Sequence, residues 1–190
     1  MLIAFHKPFG VLSQFSVETG SAYHTLAEFS FPKNVYPLGR LDADSEGLLL
    51  LTDEPKLNHK LLNPQFNHKR TYWAQVEQTP TTEALEKLQQ GVTNQGYTTL
   101  PCKTKLILPI LPDRNPPIRF RANIPTSWIE LELIEGKNRQ VRRMTAAIGY
   151  PTLRLIRVKI GDFSLGELTE GKWMELSEVE RQMVFSVLSK

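Results

Sequence analysis

The chain has 190 residues, 41% of them hydrophobic, one cysteine and a formal net charge of +3. That length fits one domain or two small subdomains sharing a core. No apolar run reaches the roughly eighteen residues of a membrane span, the N-terminal apolar stretch is too short for a signal peptide, and Cys102 alone cannot form an internal disulfide, so a globular cytoplasmic protein is expected.

In chain order, Leu2 to His6 reads as a strand stopped by Lys7-Pro8, and Val11 to Phe15 as a second. Thr25 to Phe29 is a short helix candidate. Val35 to Leu38 reads as extended. The loop Gly39-Arg40-Leu41-Asp42-Ala43-Asp44-Ser45-Glu46-Gly47 follows, and then Leu48-Leu49-Leu50-Leu51-Thr52. A short apolar run after a glycine reads as a strand buried on both faces. Such a strand fixes the loop beside it, and the loop can then hold Asp42 in one place. Three readings of this loop compete: a catalytic carboxylate at Asp42, a metal site from Asp42, Asp44 and Glu46, and a solvated acidic turn. The acids are spaced as in a calcium-binding EF-hand loop, but that motif needs a helix on each side and a glutamate at its last position, where Asp53 stands.

Lys56 to Leu62, with Leu57 and Leu61 one turn apart, reads as a short helix ending before Pro64. Arg70 to Val76 is rich in β-formers, with Tyr72, Ala74 and Val76 on one face. Thr79 is the expected cap of a helix with Pro80 in its first turn, Leu85 and Leu88 on its buried face, and Gly91 at its end. Lys103 to Leu108 reads as a strand. Pro109, Pro112, Pro116, Pro117 and Pro125 then exclude a long helix or a central strand. Trp128 to Ile134 alternates as a half-exposed strand. Asn138 is the expected cap of a helix running to Gly149, with Val141, Met144 and Ile148 as its core stripe and Arg139, Arg142 and Arg143 on another face. Leu153 to Ile160 is a strand. Ser177 and Glu180 form a capping box for a last helix, with Val179, Met183, Val187 and Leu188 expected buried. The order of elements is not a regular βαβ alternation, so the fold class is α+β with a largely antiparallel sheet.

The charge is unevenly spread. From Lys137 to Lys159 the chain carries Lys137, Arg139, Arg142, Arg143, Arg154, Arg157 and Lys159 with no acid among them. Such a stretch is what a polyanion-binding face looks like, and Arg139, Arg143, Arg157 and Lys159 are its candidate contacts. A solvated basic helix is the plainer alternative.

Together these stretches resemble a known family. Gly39-Arg40-Leu41-Asp42 through Leu51-Thr52 is similar to the signature loop of pseudouridine synthases. Phe5-His6-Lys7-Pro8, Arg70-Thr71-Tyr72, Asn138 to Met144, Arg157 to Gly161 and Leu165 to Leu168 agree, in order, with the RsuA-type branch, which acts on ribosomal RNA. Pro55 stands where that branch usually has glycine, and Arg70 where lysine is more common. Most members carry an S4-type RNA-binding domain before the catalytic part. Here one catalytic domain is expected over 1–190, without that domain, as in the RluE subgroup that acts on large-subunit (23S) ribosomal RNA.

The resemblance implies a mixed sheet flanked by helices around a central catalytic cleft. It implies that Asp42 is the essential aspartate, that Tyr72 packs on the target base, and that Arg142 is the basic partner of Asp42. Arg40 is similar to the residue that reaches into the RNA helix vacated by the flipped base, and Leu155 to the apolar residue lining the pocket. The implied partner is ribosomal RNA, free or partly assembled, and the protein is expected to act as a monomer. Isomerising uridine breaks a carbon–nitrogen glycosidic bond and remakes it as carbon–carbon, without redox change, so no cofactor or metal is implied. A carboxylate can act there as nucleophile or as base. The rival readings are a non-catalytic RNA-binding module, which would not need Asp42, and a metal-dependent nuclease using the loop acids.

Overall fold

The computed structural model describes residues 1–16, 19–94, 96–119, 121 and 123–186. In chain order the elements are β1 (Leu2–Lys7), β2 (Val11–Leu12), β3 (His24–Thr25), a 3-10 turn (Leu26–Phe29), β4 (Tyr36–Pro37), β5 (Glu46–Thr52), α1 (Lys56–Leu62) and a second 3-10 turn (Pro64–Phe66). Then come β6 (Arg70–Glu77), α2 (Thr82–Gln90), β7 (Thr93–Asn94), β8 (Tyr97–Thr98), β9 (Lys103–Ile107), β10 (Thr126–Leu133), α3 (Gln140–Ala147), β11 (Thr152–Ile160), β12 (Phe163–Ser164), β13 (Trp173–Glu175) and α4 (Glu178–Val184). The class is α+β, as expected. The chain forms two compact units, one of residues 1–69 with 156–190, the other of residues 70–155.

In the first unit β5 is the central strand. It pairs antiparallel with β1, with Leu50 opposite Ala4, and in parallel with β11 at Ile156 and Arg157. β13 adds to the other edge of β1, and β4 pairs with the far end of β5. Every residue of β5 is buried, which is why four leucines in a row suit it. Leu48 and Leu50 face a core of Leu2, Leu57, Leu61, Phe163 and Val184. On β1, Phe5 packs tilted against Phe29 and edge-to-face against Phe31, with ring centres 4.9 and 5.0 Å away.

The second unit is an antiparallel sheet in which β10 lies between β6 and β9, with Ala74 opposite Ile129. Its core takes Ala74 and Val76 from β6, Ile129, Leu131 and Leu133 from β10, Leu88 from α2, Val141 and Met144 from α3, and Leu155. The half-exposed alternation read in β10 is present, and Trp73 and Glu130 bond across the other face, indole Nε1 to carboxylate at 2.9 Å. The stretch from Leu108 to Pro125 forms no regular element among its described residues.

Several expectations need correction. The second strand stops at Leu12, because Ser13 turns aside to bond Leu41. The cap of α2 is Thr81, whose hydroxyl accepts from Ala84 N–H at 3.2 Å; Thr79 lies two residues too early. The residue before α3 is Arg139, in the left-handed conformation at φ 49°, and not Asn138. Gln140 folds back to accept from the Lys137 N–H at 2.9 Å, which ties the preceding turn to the start of the helix. Arg139 therefore lies outside the helix that carries Arg142 and Arg143. The capping box of Ser177 and Glu180 is present, but Val179 and Met183 are exposed and Val184 is the buried residue of α4. Val187 and Leu188 lie outside the described residues.

Candidate active site

The Asp42 loop is built by contacts that bracket the aspartate on both sides. Ser13 Oγ donates to the Leu41 carbonyl at 2.8 Å and accepts from the Leu41 N–H at 3.0 Å. The Gly10 N–H donates to the Ala43 carbonyl at 2.8 Å, and the Ser45 N–H closes the turn onto the Asp42 carbonyl at 3.0 Å. Both backbone neighbours of Asp42 are thus tied to the segment after β1, while the side chain is left half-exposed. The backbone on either side of the carboxylate is thereby fixed in place.

The same unit carries a cluster of charges behind the loop. Lys7 is fully buried and donates to the Pro8 and Val11 carbonyls at 2.8 and 2.7 Å. Burial pushes its ammonium down to about 7, against the opposing pull of Glu46, Asp44 and Asp42. Glu46 is buried at the start of β5. Arg157 is only 5% exposed, and its Nε donates to the Leu48 carbonyl at 2.8 Å. It therefore sits in the interior with this cluster, a correction to the expectation of a surface cation reaching RNA. Arg154, of the same basic stretch, is buried too and donates to the Pro112 carbonyl at 2.8 Å.

Gly47 is what lets β5 and β11 meet. Its φ is +102°, and a Cβ there would stand 2.3 Å from the Arg157 carbonyl oxygen. Only glycine fits so close a backbone approach in this conformation.

Arg40 is exposed on the Asp42 loop, and Lys159 is half-exposed, 3.7 Å from Asp162. In the second unit, Tyr72 lies on β6 opposite Leu131 and packs on the core from its edge, half-exposed. Leu155 is buried in that core. On α3, Arg142 is half-exposed and donates to the Thr152 carbonyl at 3.3 Å, while Val141 and Met144 anchor the helix. Arg143 is exposed and reaches Asn138 Oδ1 at 3.1 Å, and Arg139 is exposed. The stretch from Lys137 to Lys159 is thus not one basic face: two of its arginines are interior.

Among the described residues no three His, Cys, Asp or Glu side chains gather in a way that could hold a metal ion, and a strand, not a helix, follows the acidic loop. The histidines make structural bonds: His6 Nδ1 to the Leu168 carbonyl at 2.6 Å, and His68 Nε2 to the Lys60 carbonyl at 3.0 Å. Cys102 donates to the Leu88 carbonyl, and burial pushes its thiol up to about 11.

Lys7 and Ser13 were not singled out as chemistry from the sequence. Lys7 had a signal, a cation at the end of an apolar strand. Ser13 had none, because its partner is 28 residues away.

Comparison with known proteins gives the class: the chain belongs to the RNA pseudouridylate synthase family, whose model matches residues 1–147. It is a pseudouridine synthase, an isomerase. It is 51% identical over 176 residues to ribosomal large subunit pseudouridine synthase E of Vibrio parahaemolyticus, a match covering 92% of this chain and 73% of that protein. It is 50% identical over 175 residues to the protein of the same name in Xanthomonas campestris pv. campestris, covering 91% and 94%. These similarities set it in the RluE subgroup of the RsuA-type branch. Its fold resembles a crystal structure of pseudouridylate synthase with a TM-score of 0.77 at 28% identity, over 96% of this chain and 73% of that one.

Proposed function

We propose that this chain converts one specific uridine of large-subunit (23S) ribosomal RNA to pseudouridine, with Asp42 as the catalytic carboxylate. The observation that carries the reading is the bracket around Asp42: Ser13 and Gly10 hold the backbone on either side and leave the side chain half-exposed. The similarity to relatives named for the large subunit supports the choice of RNA. Tyr72 keeps the role of packing on the flipped base, Arg142 that of pairing with the carboxylate and orienting it, and Arg40 that of entering the vacated helix. Leu155 lines the base pocket. Arg139, Arg143 and Lys159 are available to phosphates, and Arg157 acts within the buried cluster. The protein works as a monomer in the cytoplasm, on free or partly assembled ribosomal RNA.

The test is to map pseudouridines in ribosomal RNA from cells with and without the gene, and with Asp42→Asn. One site in the large-subunit RNA should disappear in both the deletion and the variant, while purified Asp42→Asn still binds the RNA. Activity of Asp42→Asn within tenfold of the wild type would refute the assignment.

A further inference from the structure

The proline-rich stretch between β9 and β10 is the part of the second unit that the site residues leave unused. It encloses, with β6 and the start of β10, a groove of about 410 Å³. Four arginines line it, Arg114, Arg119, Arg121 and Arg154, against two acids, Glu77 and Asp113. No lysine does. Pro117 and Ile118 supply an apolar wall.

The arginines divide by what they do. Arg114 donates from Nε to the Pro116 carbonyl at 2.8 Å and from Nη2 to the Pro117 carbonyl at 3.1 Å. Arg154 donates to the Pro112 carbonyl, with its guanidinium 5.9 Å from the Trp128 ring centre. These two shape the walls. Arg121 stands at the rim, its side chain 41% exposed and 3.2 Å from Glu77. Arg119 is exposed, and no hydrogen bond or ion pair engages its side chain among the described residues.

We propose that this groove is a phosphodiester-binding site that holds the sugar–phosphate backbone of the RNA substrate, with Arg119 and Arg121 as the contacts. A groove of this volume suits a ligand of about nucleotide size. A guanidinium presents a planar fork that matches phosphate oxygens in pairs, which an ammonium does not. Arg121, partly neutralised by Glu77, is shared with the incoming phosphate, so Glu77 acts as a competitor that weakens the contact. The apolar wall accepts the face of a ribose or an unstacked base. This proposal rests on the reading that the substrate is RNA, and it adds where on the second unit the RNA is gripped.

The experiment uses the full chain and 23S ribosomal RNA transcribed in vitro. Affinity is measured across a series of salt concentrations, and the single-turnover rate at saturating RNA, for wild type, Arg119→Gln, Arg121→Gln, the double variant and Glu77→Gln. Each lost phosphate contact should lower the slope of log affinity against log salt by about 0.7 to 0.9. The double variant should bind at least tenfold more weakly at low salt, with its saturated rate within twofold of wild type. Glu77→Gln should bind more tightly, which a merely structural ion pair would not produce. Folded variants with unchanged affinity and slope would overturn the groove while leaving the function standing if the wild type makes pseudouridine. Weakened binding by the variants of a wild type that makes none would uphold the groove and overturn the reading of the activity.

Discussion

Ser13 does for Leu41 what a strand partner would otherwise do. Its hydroxyl satisfies both the N–H and the carbonyl of a residue that is 7% exposed, and Ser13 is 4% exposed itself. Ser13→Ala would leave two buried backbone groups unpaired, at about 1–3 kcal/mol each before relaxation. The expected result is a loss of roughly 2 kcal/mol in urea unfolding, together with a slower single-turnover rate and unchanged RNA affinity. A variant that is less stable but equally fast would show that the bracket supports the fold and does not position Asp42. The three arginines around α3 give a second residue-level expectation, because they differ in setting. Arg142 is half-exposed and bonded to Thr152, whereas Arg139 and Arg143 are exposed. Arg142→Met should cut the single-turnover rate at least tenfold and leave the salt dependence of binding alone. Arg139→Met and Arg143→Met should instead weaken binding and lower the salt slope by about one unit. Equal rate defects in all three would remove Arg142 from the catalytic group.

Elements whose signals are local were legible in the sequence. Lys56–Leu62 has the bounds that Leu57, Leu61 and Pro64 imply, and the capping box at Ser177 is where the pattern puts it. β5 was legible from its leucines. What was not legible depends on contacts across the chain. Thr79 and Thr81 are equally good caps by type, and the choice falls to Thr81 because Pro80 is buried and lies before the first turn. The helix start at Gln140 hides because the residue before it, Arg139, is not one of the usual capping types and makes no side-chain cap bond. The buried face of α4 was misread: Val184 is buried with the half-exposed Arg181 one turn before it, while Val179 and Met183 are exposed. From the residues alone Asp42 stood out as one of three readings of its loop, whereas the roles given to Tyr72, Arg142, Arg40 and Leu155 came only with the family resemblance; Arg157 looked like one more surface cation until burial placed it inside. Gly47 offers a test at this scale. Gly47→Ala forces a Cβ to 2.3 Å from the Arg157 oxygen at φ +102°, whereas Gly10, at φ +78°, has nothing within 4 Å of the same atom. Gly47→Ala should cost about 2–5 kcal/mol and Gly10→Ala about 1 kcal/mol, read as shifts in the urea midpoint. Equal shifts would mean that the approach of β5 to β11 yields easily.

At the scale of the molecule, the first unit is closed by its last helix. Arg181 on α4 grips Glu54, with Nη1 at 2.6 Å and Nη2 at 2.5 Å, and the Met1 ammonium lies 3.1 Å from the same carboxylate. Arg181 and the ammonium hold the Glu54 carboxyl down to about 2, against 4.5 ordinarily. A carboxyl depressed by folding contributes stability that is full above its unfolded value and is lost as pH falls from about 4.5 towards 2. Glu54 is 39% exposed, so solvent screening limits the contribution to about 1 kcal/mol or less. Wild type should exceed Glu54→Gln by that margin in urea unfolding at pH 7, and the gap should vanish by about pH 2. A gap that is constant over this range would show that the pairing is inert. The route of the chain through its two units also sets a timetable for synthesis. Residues 70–155 form an uninterrupted unit, while the other unit needs both 1–69 and 156–190. On the ribosome β1 and β5 emerge early and can pair, but Arg157, which lies against Gly47, and Trp173, which pairs with Phe5, arrive only near the end. Until then the outer edge of β1 and the start of β5 wait unpaired, the kind of intermediate that invites aggregation. Premature termination before Arg157 therefore yields no partly competent enzyme, since the strand that seats the start of β5 has not yet been made.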